Sequence, residues 1–253
     1  MVDGLQYAAA AGAGVLAGGI NAIAGGGTLI SFPALQAIGL SSIDANVTNI
    51  VALTPGYLAG SYAQRADLDG QGAAERRLGL VAGAGALVGS ILLVEVAAST
   101  FKAVVPFLIL VSCGALLAQG RLRLFLAKRR EEREGPARDR PVEYVTLFLS
   151  SVYGGFFGAG LGIMLLAVLG LFSDDTWARL NARKQLLSLL ISAVAATFLA
   201  FSGHVAWGLA GVMAVAGILG GFAGGRLVRV INPTVLRVVV VLFGIGVAIH
   251  YWV

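Results

Sequence analysis

Charged residues are scarce in this chain. Asp, Glu, Lys and Arg make up 12% of its 253 residues, where a soluble domain carries roughly 25%. So thin a charged coat cannot cover a water-facing surface of this size, and lipid must be the solvent for much of it. Cysteine is almost missing. The single Cys113 excludes an internal disulfide and reads as a small packed hydrophobe. The two histidines, His204 and His250, have no metal-ligand neighbours in sequence, so no metal is expected. No Lys or Arg precedes the first apolar run, MVDGLQYAAAAGAGVLAGG. A secretory signal needs a positive n-region, and this run reads instead as the first helix of the mature protein. Nucleophile-elbow and zinc-protease motifs are absent. Gly12–Ala17 (GAGVLA) fits a dinucleotide-loop pattern, but no strand precedes it, so no cofactor is expected.

What is abundant is apolar surface and glycine. Hydrophobic residues reach 58% and glycines number 36, with a mean hydropathy of +0.87. Glycine is tolerated in transmembrane helices because close backbone approach replaces the hydrophobic drive between them. Spacings such as Gly14–Gly18, Gly85–Gly89 and Gly220–Gly224 fit small-xxx-small packing contacts. Trp177, Trp207, Tyr251 and Trp252 fall near segment ends, where an interfacial aromatic belt belongs.

The chain repeats itself. Asn46 and Asn181 are 135 positions apart, as are Ala24 and Ala159, Gly25 and Gly160, Gly27 and Gly162, and Lys102 and Arg237. One ungapped register across both halves is hard to obtain by chance and marks two copies of one unit. Each copy has four apolar segments. Segment A is a glycine-broken stretch (Leu5 to Leu40; Tyr144 to Phe172). Segment B runs Val47 to Ala63 and Leu186 to Phe201, segment C Leu78 to Ala98 and Trp207 to Ala223, and segment D Ala103 to Ala118 and Val235 to Val253. The domain plan is a first membrane repeat over 1–120, a basic hydrophilic linker over 121–141 and a second membrane repeat over 142–253.

The basic residues fix the expected orientation. If segment A crosses an even number of times, as a hairpin or re-entrant pair, the two halves are inverted. With the linker in the cytoplasm, 17 of the 18 basic residues then lie inside and only Lys102 outside. A single crossing of A would make the halves parallel and expose the groups near Arg179 and Arg226 on the wrong side, against the positive-inside rule. The expectation is an all-α polytopic membrane protein of two inverted-topology repeats. Each is a broken or re-entrant helical hairpin plus three transmembrane helices, about eight to ten membrane segments in all, with both termini outside a bacterial inner membrane.

The glycine breaks of segment A are where chemistry is expected. A broken helix exposes backbone N–H groups and a positive dipole end, which suits an anion, and paired breaks in two halves point to a transport site. The string GGINAIAGGGTLISFPALQAIGLSSIDANVTNIVAL, with its counterpart GGFFGAGLGIMLLAVLGLFSDDTWARLNARKQLL, resembles the repeat signatures of the TauE/SafE sulfite exporter family of membrane permeases. The resemblance covers nearly the whole chain. It implies a secondary transporter or facilitator of small sulfur-containing or organic anions, an exporter of sulfite- or sulfonate-type compounds, working by alternating access between inverted repeats.

By that pattern the first turn holds Asn21, Gly25, Gly26, Gly27 and Thr28, and Asn46, Thr48 and Asn49 open segment B. The second half supplies Gly158, Gly160 and Gly162, then Asn181, Arg183, Lys184 and Gln185. Arg183 and Lys184 stand at the positions matching Thr48 and Asn49, so a neutral polar wall would face a cationic one. An Arg–anion fork is a strong charge-assisted contact; the same two residues also serve as inside-facing anchors. Ser31, Ser188 and Ser192 read as bonding their own helices. No carboxylate or histidine lies deep in a segment, which favours uniport, or a protonated substrate as the proton carrier. The expected partners are the anion and the bilayer, with no nucleic acid. The alternatives are an intramembrane enzyme or a non-transporting membrane subunit.

Overall fold

The structure, a computed structural model, describes residues 3–23, 26–68, 72–131, 141–173, 175–227 and 233–252. Among these residues it is all-helical. The helices are α1 (Gly4–Ile23), α2 (Thr28–Ala37), α3 (Ser42–Ala63), α4 (Gly72–Glu95), α5 (Ala98–Glu131), α6 (Pro141–Phe156), α7 (Leu161–Phe172), α8 (Trp177–Leu199), α9 (Trp207–Leu227) and α10 (Pro233–His250). Glu75–Glu95, Ala98–Lys128 and Trp177–Leu199 are long and apolar enough to cross a membrane.

The repeat register reappears in the helix boundaries. Ser42, Gly72 and Ala98 open α3, α4 and α5; Trp177, Trp207 and Pro233 open α8, α9 and α10, each 135 positions later. The caps obey the same offset. Ser41 Oγ accepts from Asp44 N at 3.1 Å at the start of α3, and Thr176 Oγ1 accepts from Arg179 N at 3.3 Å at the start of α8. Each satisfies an N–H that has no partner inside its helix.

Segment A is two helices in each half, α1 with α2 and α6 with α7. In the second half the break comes from glycine. Gly158 and Gly160 have φ of +77° and +74°, the left-handed region that side chains resist. α2 is ten residues long, or about 15 Å, half the ~30 Å of a hydrocarbon core. It folds back along α1. It starts beside Ala17 and Asn21, and the Ile38 carbonyl at its far end accepts from Gln6 Nε2 at 2.7 Å.

Close glycine contacts set the helix packing. In α1, Gly14 and Gly18 lie against Met213 and Gly217 of α9, and a Cβ on Gly18 would run into the Gly217 backbone. In α4, Gly85 and Gly89 lie against Phe148 and Val152 of α6 in the same way. Contacts advance together along both pairs, so each pair runs parallel. α3 pairs with α9 (Thr48 to Ala206, Leu53 to Gly217) and α4 with α8 (Gly79 to Leu190, Gly83 to Val194), again parallel. α3 and α8 are antiparallel: Thr54 Oγ1 donates to Ser192 O at 3.3 Å, and Asn181 Nδ2 donates to Gln64 Oε1 at 2.7 Å. α5 and α10 are antiparallel too, with Phe107 beside Trp252 and Gly120 beside Arg237.

These directions gather one end of the bundle from the C-termini of α3, α5 and α9 and the N-termini of α4, α6, α8 and α10. Arg65, Arg76, Arg77, Arg121, Arg123, Arg179 and Arg237 belong to that end. Lys102 sits at the other, with the start of α1 and the end of α10. The stretch expected as a linker from Arg121 begins as helix, because α5 continues through Glu131. RLRLFLAKRRE contains no Gly or Pro and is rich in helix formers; charge decides what faces water and leaves the backbone free to stay helical. Residues 132–140 lie outside the described set.

Candidate functional site

The two breaks open onto one cavity of about 910 Å³. It is lined by Asn21, Gly26, Gly27 and Thr28 from the first half and Gly158, Gly160 and Gly162 from the second. α2 and α7 therefore point their N-termini at the same space. Asn21 Oδ1 accepts from Gly27 N at 2.8 Å and holds the first turn in shape. The second turn is held differently: Ser112 Oγ and Tyr153 OH both donate to Ala159 O, at 2.9 and 2.7 Å. Gly160→Ala must place a Cβ at positive φ, with the Ser112 backbone 3.4 Å away, and we expect it to cost about 1–2 kcal/mol. Gly12→Ala, at an open helical position, should leave the thermal midpoint in detergent unchanged or raised.

The lining continues from these turns toward the basic end of the bundle: Tyr57, Gly60 and Ser188 follow, then Gln64, Gln119, Arg123, Trp177, Asn181, Lys184 and Arg237. Three cations face the cavity and no carboxylate does among the described lining residues. Lys184 Nζ donates to Asn181 Oδ1 at 2.8 Å, and its alkyl stem passes within 3.4 Å of a Cβ placed on Gly162. That sets the ammonium beside the N-terminus of α7. Arg123 stacks over Trp177 with its guanidinium carbon 5.1 Å from the ring centre. Arg237 Nε is buried without a hydrogen-bond partner.

Of the residues expected at the site, Asn21, Gly26, Gly27, Thr28, Gly158, Gly160, Gly162, Asn181, Lys184 and Gln185 line the cavity. Gly25 lies outside the described residues. Asn46, Thr48, Asn49 and Arg183 are elsewhere. Asn46 Nδ2 donates to Phe156 O at 2.8 Å, and Thr48 Oγ1 accepts from Ala206 N at 3.0 Å. Asn49 is 1% exposed and its Oδ1 has no partner. Arg183 is 5% exposed. Its Nε meets Glu75 Oε1 at 2.5 Å and its Nη1 meets Asp175 Oδ2 at 2.6 Å. The fork expected to grip an anion already grips two carboxylates, as a buried guanidinium must.

Ser31 does bond its own helix, donating to Gly27 O at 3.1 Å, whereas Ser188 Oγ has no partner and faces the cavity. Trp177, at the start of α8, lines the cavity as well. Arg123 and Arg237 are the additions sequence reasoning missed. They entered it only as inside-facing anchors, and no spacing rule brings residues 114 positions apart to one opening. Cys113 is packed as expected, with Sγ 3.8 Å from Val241 O.

A helical membrane protein whose broken helices face a cationic cavity belongs among multi-pass integral membrane proteins of the transporter kind. The family model of the sulfite exporter TauE/SafE family matches residues 10–251, and the chain belongs to that family. It is 26% identical over 232 residues to the probable membrane transporter protein YfcA of Escherichia coli K12, covering 90% of this chain and 82% of the relative. It is 30% identical over 241 residues to a probable membrane transporter protein of Haemophilus influenzae, covering 90% and 88%. It is 26% identical over 244 residues to the probable membrane transporter protein ORF9 of a Sinorhizobium species, covering 94% and 89%. No solved structure matches the chain.

Proposed function

We propose that this protein carries a small sulfur-containing or organic anion, of the sulfite or sulfonate type, out of the cell across the bacterial inner membrane. The observation that carries the reading is the convergence of two short-helix N-termini and the Lys184 ammonium on one cavity, with no carboxylate among its described lining residues. Each helix terminus contributes about 0.3–1 kcal/mol toward an anion, more where water is excluded. Backbone N–H groups can replace the anion's hydration at no reorganisation cost. The family description and the names of its relatives support the same class.

The mechanism is alternating access between two inverted repeats, 1–120 and 142–253, joined by the linker 121–141. Three observations support it. The halves share helix starts in one register. α3 runs against its counterpart α8, and α5 against α10. α1 and α3 both run parallel to α9, so α2 acts as the return arm of a re-entrant hairpin. The basic end is cytoplasmic by the positive-inside rule, which puts both termini outside and makes the cavity face inward.

Purified protein in liposomes loaded with sulfite, taurine or sulfoacetate should release the anion at a rate proportional to protein. Chemical conversion of the anion without flux would favour an enzyme instead, and the absence of both flux and conversion would overturn the reading.

A further inference from the structure

The outer half of the molecule contains a second polar set that is closed off. Asn46 and Asn49 are buried on α3, and the Oδ1 atoms of both lack hydrogen-bond partners. A buried polar group left unpaired costs free energy, so packing alone does not account for these two side chains. They are the 135-offset counterparts of Asn181 and Lys184, which are bonded to each other on the wall of the open cavity. The same offset relates Ile50 to the lining residue Gln185, and Lys102 to the lining residue Arg237.

What separates Asn46 and Asn49 from the outside is a compact seal. Asp44 Oδ1 and His204 Nδ1 are 2.6 Å apart, Thr48 binds Ala206 N, Asn46 binds Phe156 O, and the rings of Phe32 and Phe157 meet edge to face at 5.4 Å. All four contacts join α2 or α3 to segments of the second half.

We infer that Asn46 and Asn49 form the anion-binding wall of an outward-open cavity, which appears when the two repeats exchange conformations and this seal parts. This rests on the alternating-access reading above. In that state the anion keeps the two glycine turns but exchanges Lys184 for the neutral Asn49, and Arg237 for Lys102. Arg123 has no counterpart within the chain. The outer cavity then holds one cation against three on the inner side, so the anion is gripped more weakly where it leaves. Asymmetric charge on a symmetric frame would suit the protein to collecting anions inside and releasing them outside.

The test is side-specific thiol labelling in a Cys113→Ala background, with single variants Asn49→Cys and Gln185→Cys and a membrane-impermeant methanethiosulfonate. Ile50→Cys is the second variant should Asn49→Cys fail to accumulate. Gln185→Cys should react in inside-out vesicles only, and Asn49→Cys in right-side-out vesicles only. Adding His204→Ala to loosen the seal should raise the outer reaction roughly tenfold and lower the inner one, as a shifted two-state population requires. If Asn49→Cys and Ile50→Cys stay inert from outside while the variants still carry anion in liposomes, the outer wall is wrong and the transport reading stands. If they react from the inside-out face, the inverted-repeat scheme itself fails.

Discussion

Lys184→Gln should lower anion flux in proteoliposomes by about 10- to 100-fold, the worth of a charge-assisted hydrogen bond of 1.5–3 kcal/mol. The side chain stands between Asn181 and the N-terminus of α7, so its ammonium is a cation placed beside one of the two helix ends. Glutamine is one atom shorter but keeps an N–H donor for Asn181, so the loss of charge is the main change. Monodispersity in detergent should be that of the wild type, because Lys184 forms no ion pair with a carboxylate among the described residues. The half-saturating anion concentration should rise in the same variant. Wild-type flux in Lys184→Gln would remove this residue from the site.

Arg183→Ala should fail in a different way. Although adjacent in sequence to Lys184, Arg183 is a buried counter-charge for Glu75 of α4 and Asp175 before α8. Removing one partner of such a set leaves uncompensated charge in low dielectric and costs about 3–5 kcal/mol. The variant should accumulate poorly and melt early in detergent, and any loss of flux should follow from loss of protein. Arg183→Met with Glu75→Gln and Asp175→Asn removes all three charges together and should recover most of the lost stability. A well-folded Arg183→Ala protein with no flux would return Arg183 to the transport site.

The contrast between these neighbours shows what a single sequence can and cannot tell. The repeat was legible because it leaves matched residues at a fixed offset, and the helix starts and caps at Ser41 and Thr176 keep that offset. The glycine turns were legible because few other residues can break an apolar helix and present bare N–H groups. The sorting of polar side chains on α3 and α8 was not. Arg183 and Lys184 read alike in sequence. One turns toward Glu75, 108 residues away, and the other toward the cavity; only packing decides which. Asn46 and Asn49 were expected at the site from their residue type and repeat position, yet they are buried and do not line the cavity. Arg123 and Arg237 were hidden by the rule that accounted for them: a basic residue at the end expected to be cytoplasmic satisfies the topology whether it faces headgroups or a cavity.

If the cavity between the two helix breaks holds the anion, Trp177 is placed to report on it. In a Trp207→Phe, Trp252→Phe protein it is the remaining tryptophan, stacked under Arg123 at the cavity wall. Titration with sulfite or a small alkyl sulfonate should change its fluorescence saturably, and Lys184→Gln should shift that curve to higher concentration. A signal that never saturates, or a curve indifferent to Lys184, would contradict the account.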